Sequence, residues 1–187
     1  CWENKSIAVP KDYTLAAYKQ AAELFPPSVK LVINDSWRPI YPPFVRSLLQ
    51  RGAKIDVVGI QMHIFTAKEC ARIANGEPCL ANGTSWEPMA QTAMFRALDE
   101  LQRPIHVSEI TIPSPEPTPR GDAIQAQMLR DNYRLWFSWP SVYRITYWNP
   151  VDSVGGEILR SGFFTRDMKR KAACNAPLPR ISTGIYK

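Results

Sequence analysis

The chain has 187 residues, of which 45% are hydrophobic and 21% are charged, a composition that suits a globular protein with one buried core. No run approaches the length of apolar sequence that crosses a membrane, so we expect no membrane span. The net charge of +6 comes from scattered basic residues and one cluster, RDMKRK at 166–171, and because no aromatic residues interleave with it, we expect no nucleic-acid binding.

Helical and β-rich patterns alternate along the chain. In chain order, they predict a helix at 12–25, a strand at 29–35, a helix at 41–52, a strand at 54–65, a helix at 86–102, a strand at 105–112, a helix at 122–138, a strand at 142–149 and a short helix near 167–174. An irregular excursion to about residue 84 follows the second strand, and a Pro-rich loop, PSPEPTPRGD, follows the third. Four strands that alternate with helices predict a parallel sheet with helical crossovers.

Each predicted strand is nearly all apolar and then ends in polar or aromatic residues. These ends are Asn34-Asp35, Gln61 and His63, Glu109, and Trp148-Asn149. Glu109 lies within IHVSEITI, and an unpaired buried carboxylate costs several kcal/mol, so a functional reason is expected for it. The pattern is typical of a (β/α)8 barrel, whose chemistry sits at the carboxyl ends of the strands. An open α/β sheet would bind ligands there too, but neither GxGxxG nor GxxxxGK[ST] occurs, so we expect no nucleotide or other cofactor.

The cysteines and sequons bear on the compartment. The four cysteines are Cys1, Cys70, Cys79 and Cys174. No two of them are spaced as CxxC and the chain has only two histidines, so no metal site is expected. Cys70 and Cys79 bracket ARIANGEP, which reads as a loop that a small disulfide could close. Sequons of the form N-x-S/T occur at Asn4, Asn34 and Asn82. Together these features favour an oxidising environment and a secreted, extracellular protein.

The series of strand ends resembles the C-terminal half of glycoside hydrolase family 10, the endo-β-1,4-xylanases. LVIND at 31–35 resembles the family's fifth strand, GIQMHI at 59–64 its sixth, HVSEITI at 106–112 its seventh, RITYWNPVD at 144–152 its eighth, and FFTRDMKRKAA at 163–173 its closing helix. The resemblance implies a (β/α)8 TIM barrel of which this chain supplies roughly strands five to eight, with the end of strand four at its N-terminus. Residues 1–187 would then be one segment of a catalytic domain.

The resemblance also implies roles for individual residues. Glu109 stands in the place of the nucleophile, and Trp148 in the place of the tryptophan that walls the sugar site. Gln61 and His63 stand in sugar-contacting places, and Asn34 at the end of the fifth strand is expected to bind substrate with them.

The acid/base glutamate of the family lies at the end of strand four, normally after an asparagine. The only candidate here is Glu3, 106 residues before Glu109, and this chain departs from the motif because Trp2 precedes Glu3 and Asn4 follows it. In retaining glycosidases the two carboxyl groups stand ~5–5.5 Å apart, and one attacks while the other donates a proton. The resemblance thus implies a retaining hydrolase that cleaves β-1,4-xylan by double displacement.

Two alternatives remain open at this point: a catalytically weak or inactive carbohydrate-binding relative, and a β-glucan or mannan hydrolase with the same barrel. The CWENKS N-terminus has no signal-peptide character, so any such peptide has been removed or the chain starts within a longer protein. Half a barrel would expose two strand edges, which natural proteins avoid. We therefore expect the missing half to come from a longer natural protein or from a partner chain, such as a second copy in a homodimer.

Overall fold

A four-stranded parallel sheet forms the centre of the chain. The computed structural model describes residues 12–36, 38–77, 90–152 and 160–176. The strands are β1 (Val32–Ser36), β2 (Val57–Gln61), β3 (Ile105–Glu109) and β4 (Val142–Ile145), paired in that order. All three pairings are parallel, so successive strands are neighbours and each connection is a crossover. The wall of a (β/α)8 barrel has the same arrangement of neighbouring parallel strands joined by crossovers.

Helices lie in the crossovers. Within the described residues they are α1 (Tyr13–Leu24), α2 (Tyr41–Gln50), α3 (Ala67–Ala74), α4 (Gln91–Asp99) and α5 (Pro119–Phe137), followed by a 3-10 turn at Ala172–Asn175. The prolines of α2 stand in its first turn, where no intrahelical N–H donor is needed. None of these helices is long and apolar enough to cross a membrane.

One face of the sheet packs against the helices and forms the core. Ile60 of β2, Val107 of β3, Leu48 of α2, Phe95 of α4 and Trp136 of α5 are all buried there. Burying a side chain of this size contributes about 1.5–3 kcal/mol to folding. Because successive strand residues point to opposite faces, the other face receives the polar side chains of the alternating positions.

A register shift directs the side chains of two consecutive residues of β3 towards the same residue on β1. Ile60 pairs with Val107, but the next residue, Gln61, pairs with Glu109, so Ser108 is the extra residue of a bulge. The side chains of Ser108 and Glu109 both reach Asn34 on β1. Without the shift, strict alternation would send one of them towards the helices.

The loop predicted for ARIANGEP, between Cys70 and Cys79, is wrong at its start, because α3 runs from Ala67 to Ala74. Thr66 caps this helix, because its hydroxyl accepts a hydrogen bond from the backbone N–H of Glu69 at 3.1 Å. Cys70 therefore lies on a helix and not at the edge of a loop, and it is buried.

Two helices in the C-terminal part of the chain also differ from the sequence prediction. Helix α5 begins at Pro119 and not at residue 122, because the hydroxyl of Thr118 accepts a hydrogen bond from the N–H of Gly121 at 3.1 Å and caps the helix. The helix expected near 167–174 is reduced to the 3-10 turn. Met168 adopts a left-handed backbone with φ of 62°, which no α-helix continues through.

Candidate active site

The ends of β2 and β3 stay paired beyond the strands themselves. The N–H of Met62 donates to the carbonyl of Glu109, and the N–H of Ile64 donates to the carbonyl of Thr111, both at 2.8 Å. Met62 and Ile64 point into the core, where both are buried. Alternation therefore directs Gln61 and His63 to the opposite face, beside Glu109.

Glu109 lies in a cluster of polar groups at these strand ends. Its Oε1 accepts from Nε2 of Gln61 at 3.0 Å and from Nδ2 of Asn34 at 3.3 Å. Its Oε2 lies 3.2 Å from Nε2 of His63, and its side chain is 18% exposed. The carboxylate is thus partly buried, and its partners lie on β1, on β2 and just beyond the end of β2.

Asn34 is held by its own neighbours. The hydroxyl of Ser108 donates to Oδ1 of Asn34 at 2.6 Å, which turns the amide nitrogen towards Glu109. Gly59 on β2 leaves space for this amide, because a Cβ atom there would lie 2.8 Å from Oδ1 of Asn34. The orientation of the amide therefore depends on a hydroxyl on one side and a missing side chain on the other.

His63 bridges Glu109 and the core. Its Nδ1 lies 3.0 Å from the hydroxyl oxygen of the fully buried Thr111, and Phe65 stacks on its ring with centroids 4.6 Å apart. Burial lowers the pKa of His63 below its usual value, although the hydrogen bond and the charge of Glu109 oppose that effect. A lowered pKa favours the neutral imidazole, in which one ring nitrogen carries a hydrogen.

Trp148 forms an exposed aromatic wall beside His63. The two rings meet edge to face with centroids 6.1 Å apart, and Trp148 is 57% exposed. Its backbone N–H donates to the carbonyl of Ile110 at 2.9 Å, which fixes the start of the following loop. Asn149 donates to the hydroxyl of Ser161 at 2.7 Å and holds the loop from behind. An apolar ring face next to a carboxylate suits a sugar ring, whose faces are apolar and whose edges carry hydroxyls.

The loop that follows Trp148 is held by a buried ion pair. Nζ of Lys171 lies 3.1 Å from Oδ1 of Asp152, and its side chain is only 1% exposed. The same ammonium donates to the carbonyl of Arg160 at 2.8 Å and lies 3.7 Å from Asp122 at the start of α5. These contacts link the loop, the C-terminal segment and α5.

The structure brings together five of the residues singled out in the sequence, namely Asn34, Gln61, His63, Glu109 and Trp148. Glu3 and Cys79 lie outside the described residues, so the acid/base role and the Cys70–Cys79 disulfide stay predictions. Within the described ranges, no group of three or more histidine, cysteine or acidic side chains is placed to hold a metal ion.

Sequence reasoning missed three contributors to this cluster: Ser108, Thr111 and Phe65. A signal existed for the first two, because they are polar residues that flank Glu109 in an otherwise apolar strand. No sequence signal pointed to Phe65, which looks like one more apolar residue after the strand.

Comparison with protein families gives one match over most of the chain. The model of glycosyl hydrolase family 10 matches residues 4–177. A search of curated proteins found no match.

Several solved xylanase structures are similar to this chain. They include the endo-1,4-beta-xylanase from Caldicellulosiruptor owensensis (TM-score 0.66, 18% identity, 88% of this chain and 53% of that one), xylanase 10B from Thermotoga maritima (0.65, 19%, 88% and 50%) and TsXylA, an intracellular xylanase from Thermoanaerobacterium saccharolyticum (0.64, 22%, 88% and 48%). At these identities the similarity establishes the fold, and the family together with these structures implies the (β/α)8 barrel. The chain spans about half the length of the structures it matches.

Proposed function

Because the chain belongs to glycosyl hydrolase family 10, as its strand ends had suggested, we propose that it serves as a retaining glycoside hydrolase that cleaves β-1,4-xylan by double displacement. Glu109 attacks the anomeric carbon and forms a covalent glycosyl-enzyme, and water then releases the sugar. We assign the second carboxyl group, which first protonates the leaving oxygen and then activates the water, to Glu3. The observation that carries the proposal is the Glu109 carboxylate, which is bound by groups from β1 and from the end of β2 beside an exposed tryptophan.

The contacts of Glu109 explain how a carboxylate could serve as nucleophile. Gln61, Asn34 and His63 surround its two oxygens at 3.0 to 3.3 Å, so its plane is set before substrate arrives. Such preorganisation lowers the barrier, because no group has to reorient during the reaction. Trp148, whose ring meets that of His63 edge to face, would offer its exposed face to the pyranose.

We assign β1 to β4 to strands five to eight of the barrel, and residues 1–187 to one segment of the catalytic domain. The unbroken parallel order and the coverage of about half of each xylanase support this numbering. The remaining strands would come from a longer natural protein or from a partner chain, such as a second copy. Among the described residues, β1 and β4 are the two edges that such strands would join.

Secretion is a separate proposal, supported by the sequons and the cysteines in the sequence. TsXylA is described as an intracellular xylanase, so similarity to these xylanases does not by itself imply secretion.

The test compares the 187-residue chain with its Glu109→Gln and Glu100→Gln variants. Glu109→Gln keeps the size of the side chain but removes the nucleophilic charge, whereas Glu100 is exposed and pairs with Arg46 on a helix. We expect hydrolysis of an aryl β-xylobioside by the unsubstituted chain and by Glu100→Gln, and only the background rate with Glu109→Gln.

Sugar release from xylan, β-glucan and mannan then separates the substrate classes, and xylan should give the fastest release. An unsubstituted chain as inert as Glu109→Gln on the aryl xylobioside would contradict the proposed activity. If that inert chain still bound xylo-oligosaccharides in calorimetry, the carbohydrate-binding alternative would replace it.

A further inference from the structure

His63 lies between the carboxylate of Glu109, which can only accept hydrogen bonds, and the hydroxyl of Thr111, which can also donate one. Nε2 of His63 lies 3.2 Å from Oε2 of Glu109, and Nδ1 lies 3.0 Å from the hydroxyl oxygen of Thr111. An ionised carboxylate has no hydrogen to give, so the nitrogen that faces it must carry one. In a neutral imidazole the other nitrogen then presents a lone pair, and only a donor satisfies it.

We propose that Thr111 is a positioning residue that donates its hydroxyl hydrogen to Nδ1 of His63 and thereby fixes the neutral Nε2–H tautomer against Glu109. The opposite tautomer would direct the lone pair of Nε2 at the carboxylate, where two acceptors would meet without a hydrogen between them. Thr111 is fully buried and its hydroxyl lies at hydrogen-bond distance from Nδ1, so this contact is not shared with bulk solvent.

The surroundings of the ring favour the neutral form over the imidazolium. The His63 side chain is 8% exposed, Phe65 stacks on its ring, and Trp148 meets it edge to face. Burial is the largest cause of the lowered pKa of His63, and within the described residues the charge that opposes it is that of Glu109. A hydroxyl can also accept a hydrogen from an imidazolium, so the preference for the neutral ring comes from burial, and the contact with Thr111 bears on which nitrogen of the neutral ring carries the hydrogen.

A neutral ring at His63 leaves the charge of the proposed nucleophile uncompensated, and in that respect the inference rests on the proposed function. An imidazolium at His63 would compensate the charge of Glu109 and weaken it as a nucleophile. A neutral Nε2–H group orients the carboxylate without cancelling its charge. Thr111 would therefore act on the reaction through His63, without touching the substrate.

Nitrogen NMR of the histidine rings reads the tautomer directly. The chain has only two histidines, and a His106→Asn variant removes the signals of the second, so His63 is assigned unambiguously. At pH 7 we expect Nε2 of His63 to show the shift of a protonated ring nitrogen and Nδ1 that of an unprotonated one. Protonation of Nδ1 at pH 7, alone or together with Nε2, would overturn the proposal, and this readout needs no substitution at Thr111.

Variants at Thr111 test the role of the hydroxyl. Thr111→Val keeps the shape of the side chain and removes the donor, and we expect the Nδ1 signal of His63 to move towards the shift of a ring nitrogen whose lone pair accepts no hydrogen bond. Thr111→Ser restores a donor and should restore the original Nδ1 shift. An unchanged Nδ1 shift in Thr111→Val would refute the assigned role.

Kinetics on an aryl β-xylobioside separate this inference from the proposed function. Thr111→Val should lower kcat about tenfold, with KM little changed, and Thr111→Ser should recover most of the loss. A chain with the Nε2–H tautomer but no hydrolysis would overturn the proposed function and leave the tautomer assignment standing. A hydrolysing chain with the Nδ1–H tautomer would overturn this inference alone.

Discussion

An alanine in place of Gly59 should weaken the site without replacing any of its polar side chains. A Cβ atom at this position would lie 2.8 Å from Oδ1 of Asn34 and 3.1 Å from the carbonyl oxygen of Ile33. The amide of Asn34 is the part that can move, because the carbonyl belongs to the neighbouring strand. Movement of the amide breaks two contacts at once, the one from Ser108 at 2.6 Å and the one to Glu109 at 3.3 Å.

The magnitude follows from the second of these contacts. A hydrogen bond to a charged group contributes about 1.5–3 kcal/mol, and each ~1.4 kcal/mol of barrier is a factor of ten in rate. We therefore expect Gly59→Ala to lower kcat/KM on an aryl β-xylobioside by roughly 10- to 100-fold. Asn34→Ala should cause a loss of the same size, and the double variant should lose no more than either single one, because both act through the same amide.

Gly52→Ala is the matched control for a loss of stability alone. Gly52 has a positive φ of 85° and no atom within 4 Å of an added Cβ. Its substitution costs about 1–2 kcal/mol of backbone strain far from Asn34, so the unfolding temperature should fall while kcat/KM stays the same. Independent, multiplying losses in Gly59→Ala and Asn34→Ala would refute the reasoning, as would full activity in Gly59→Ala.

Three further predictions concern the surroundings of the site. Lys171→Met leaves Asp152 without its cation and should lower the free energy of unfolding by about 3–5 kcal/mol in denaturant titrations. Lys169→Met removes one side of an exposed ion pair and should change the free energy of unfolding little. Equal effects of the two substitutions would contradict a structural role for the ion pair of Lys171. Trp148→Ala should raise KM for xylo-oligosaccharides roughly tenfold and leave the melting temperature nearly unchanged, since the ring is mostly exposed; an unaltered KM would remove Trp148 from the sugar site. Burial is the first cause that lowers the pKa of both His63 and His106. Their contribution to stability is therefore complete above the unfolded-state pKa of about 6.5 and is lost as pH falls through their folded-state pKa values. The melting temperature should fall less steeply between pH 7 and pH 5 in a variant with asparagine at both positions.

The ends of the strands could be predicted because the pattern that marks them lies within each strand's own sequence. Apolar runs that stop at Asn34, Gln61 or Glu109 mark the carboxyl end of a strand wherever the helices pack. The family resemblance, which is confirmed, then supplied the order of the strands. Parallel pairing brings these strand ends to one edge of the sheet, and the bulge at Ser108 turns Glu109 to the same face as Gln61.

The sequence contains local signals for α3 and for the start of α5, but neighbouring turn residues favoured a loop at both places. Thr66 and Glu69 have the T-x-x-E spacing of a capping box, but the cysteines and the Asn-Gly turn that follow favoured a loop. Thr118 followed by Pro119 is a helix start, yet it stands in a Pro-rich run that indicated a loop.

The remaining features depend on contacts between strands and were not predictable from one sequence. The bulge at Ser108 exists because Gln61 pairs with Glu109 and not with its neighbour, a register that no local pattern encodes. The contacts from Thr111 to His63 and from Ser108 to Asn34 join residues 48 and 74 positions apart. Gly59 is a small residue in an apolar strand until the position of Asn34 is known.

Covalent trapping tests the role of Glu109 most directly. A 2-deoxy-2-fluoro-xylobioside with a good leaving group slows release of the glycosyl-enzyme more than its formation, so the intermediate accumulates. Mass spectrometry of the intact chain should show the addition of one fluorinated disaccharide, and peptide mapping should place it on the segment that contains Glu109. Attachment to another carboxylate, or hydrolysis of xylan by a chain that this reagent never labels, would contradict a Glu109 nucleophile.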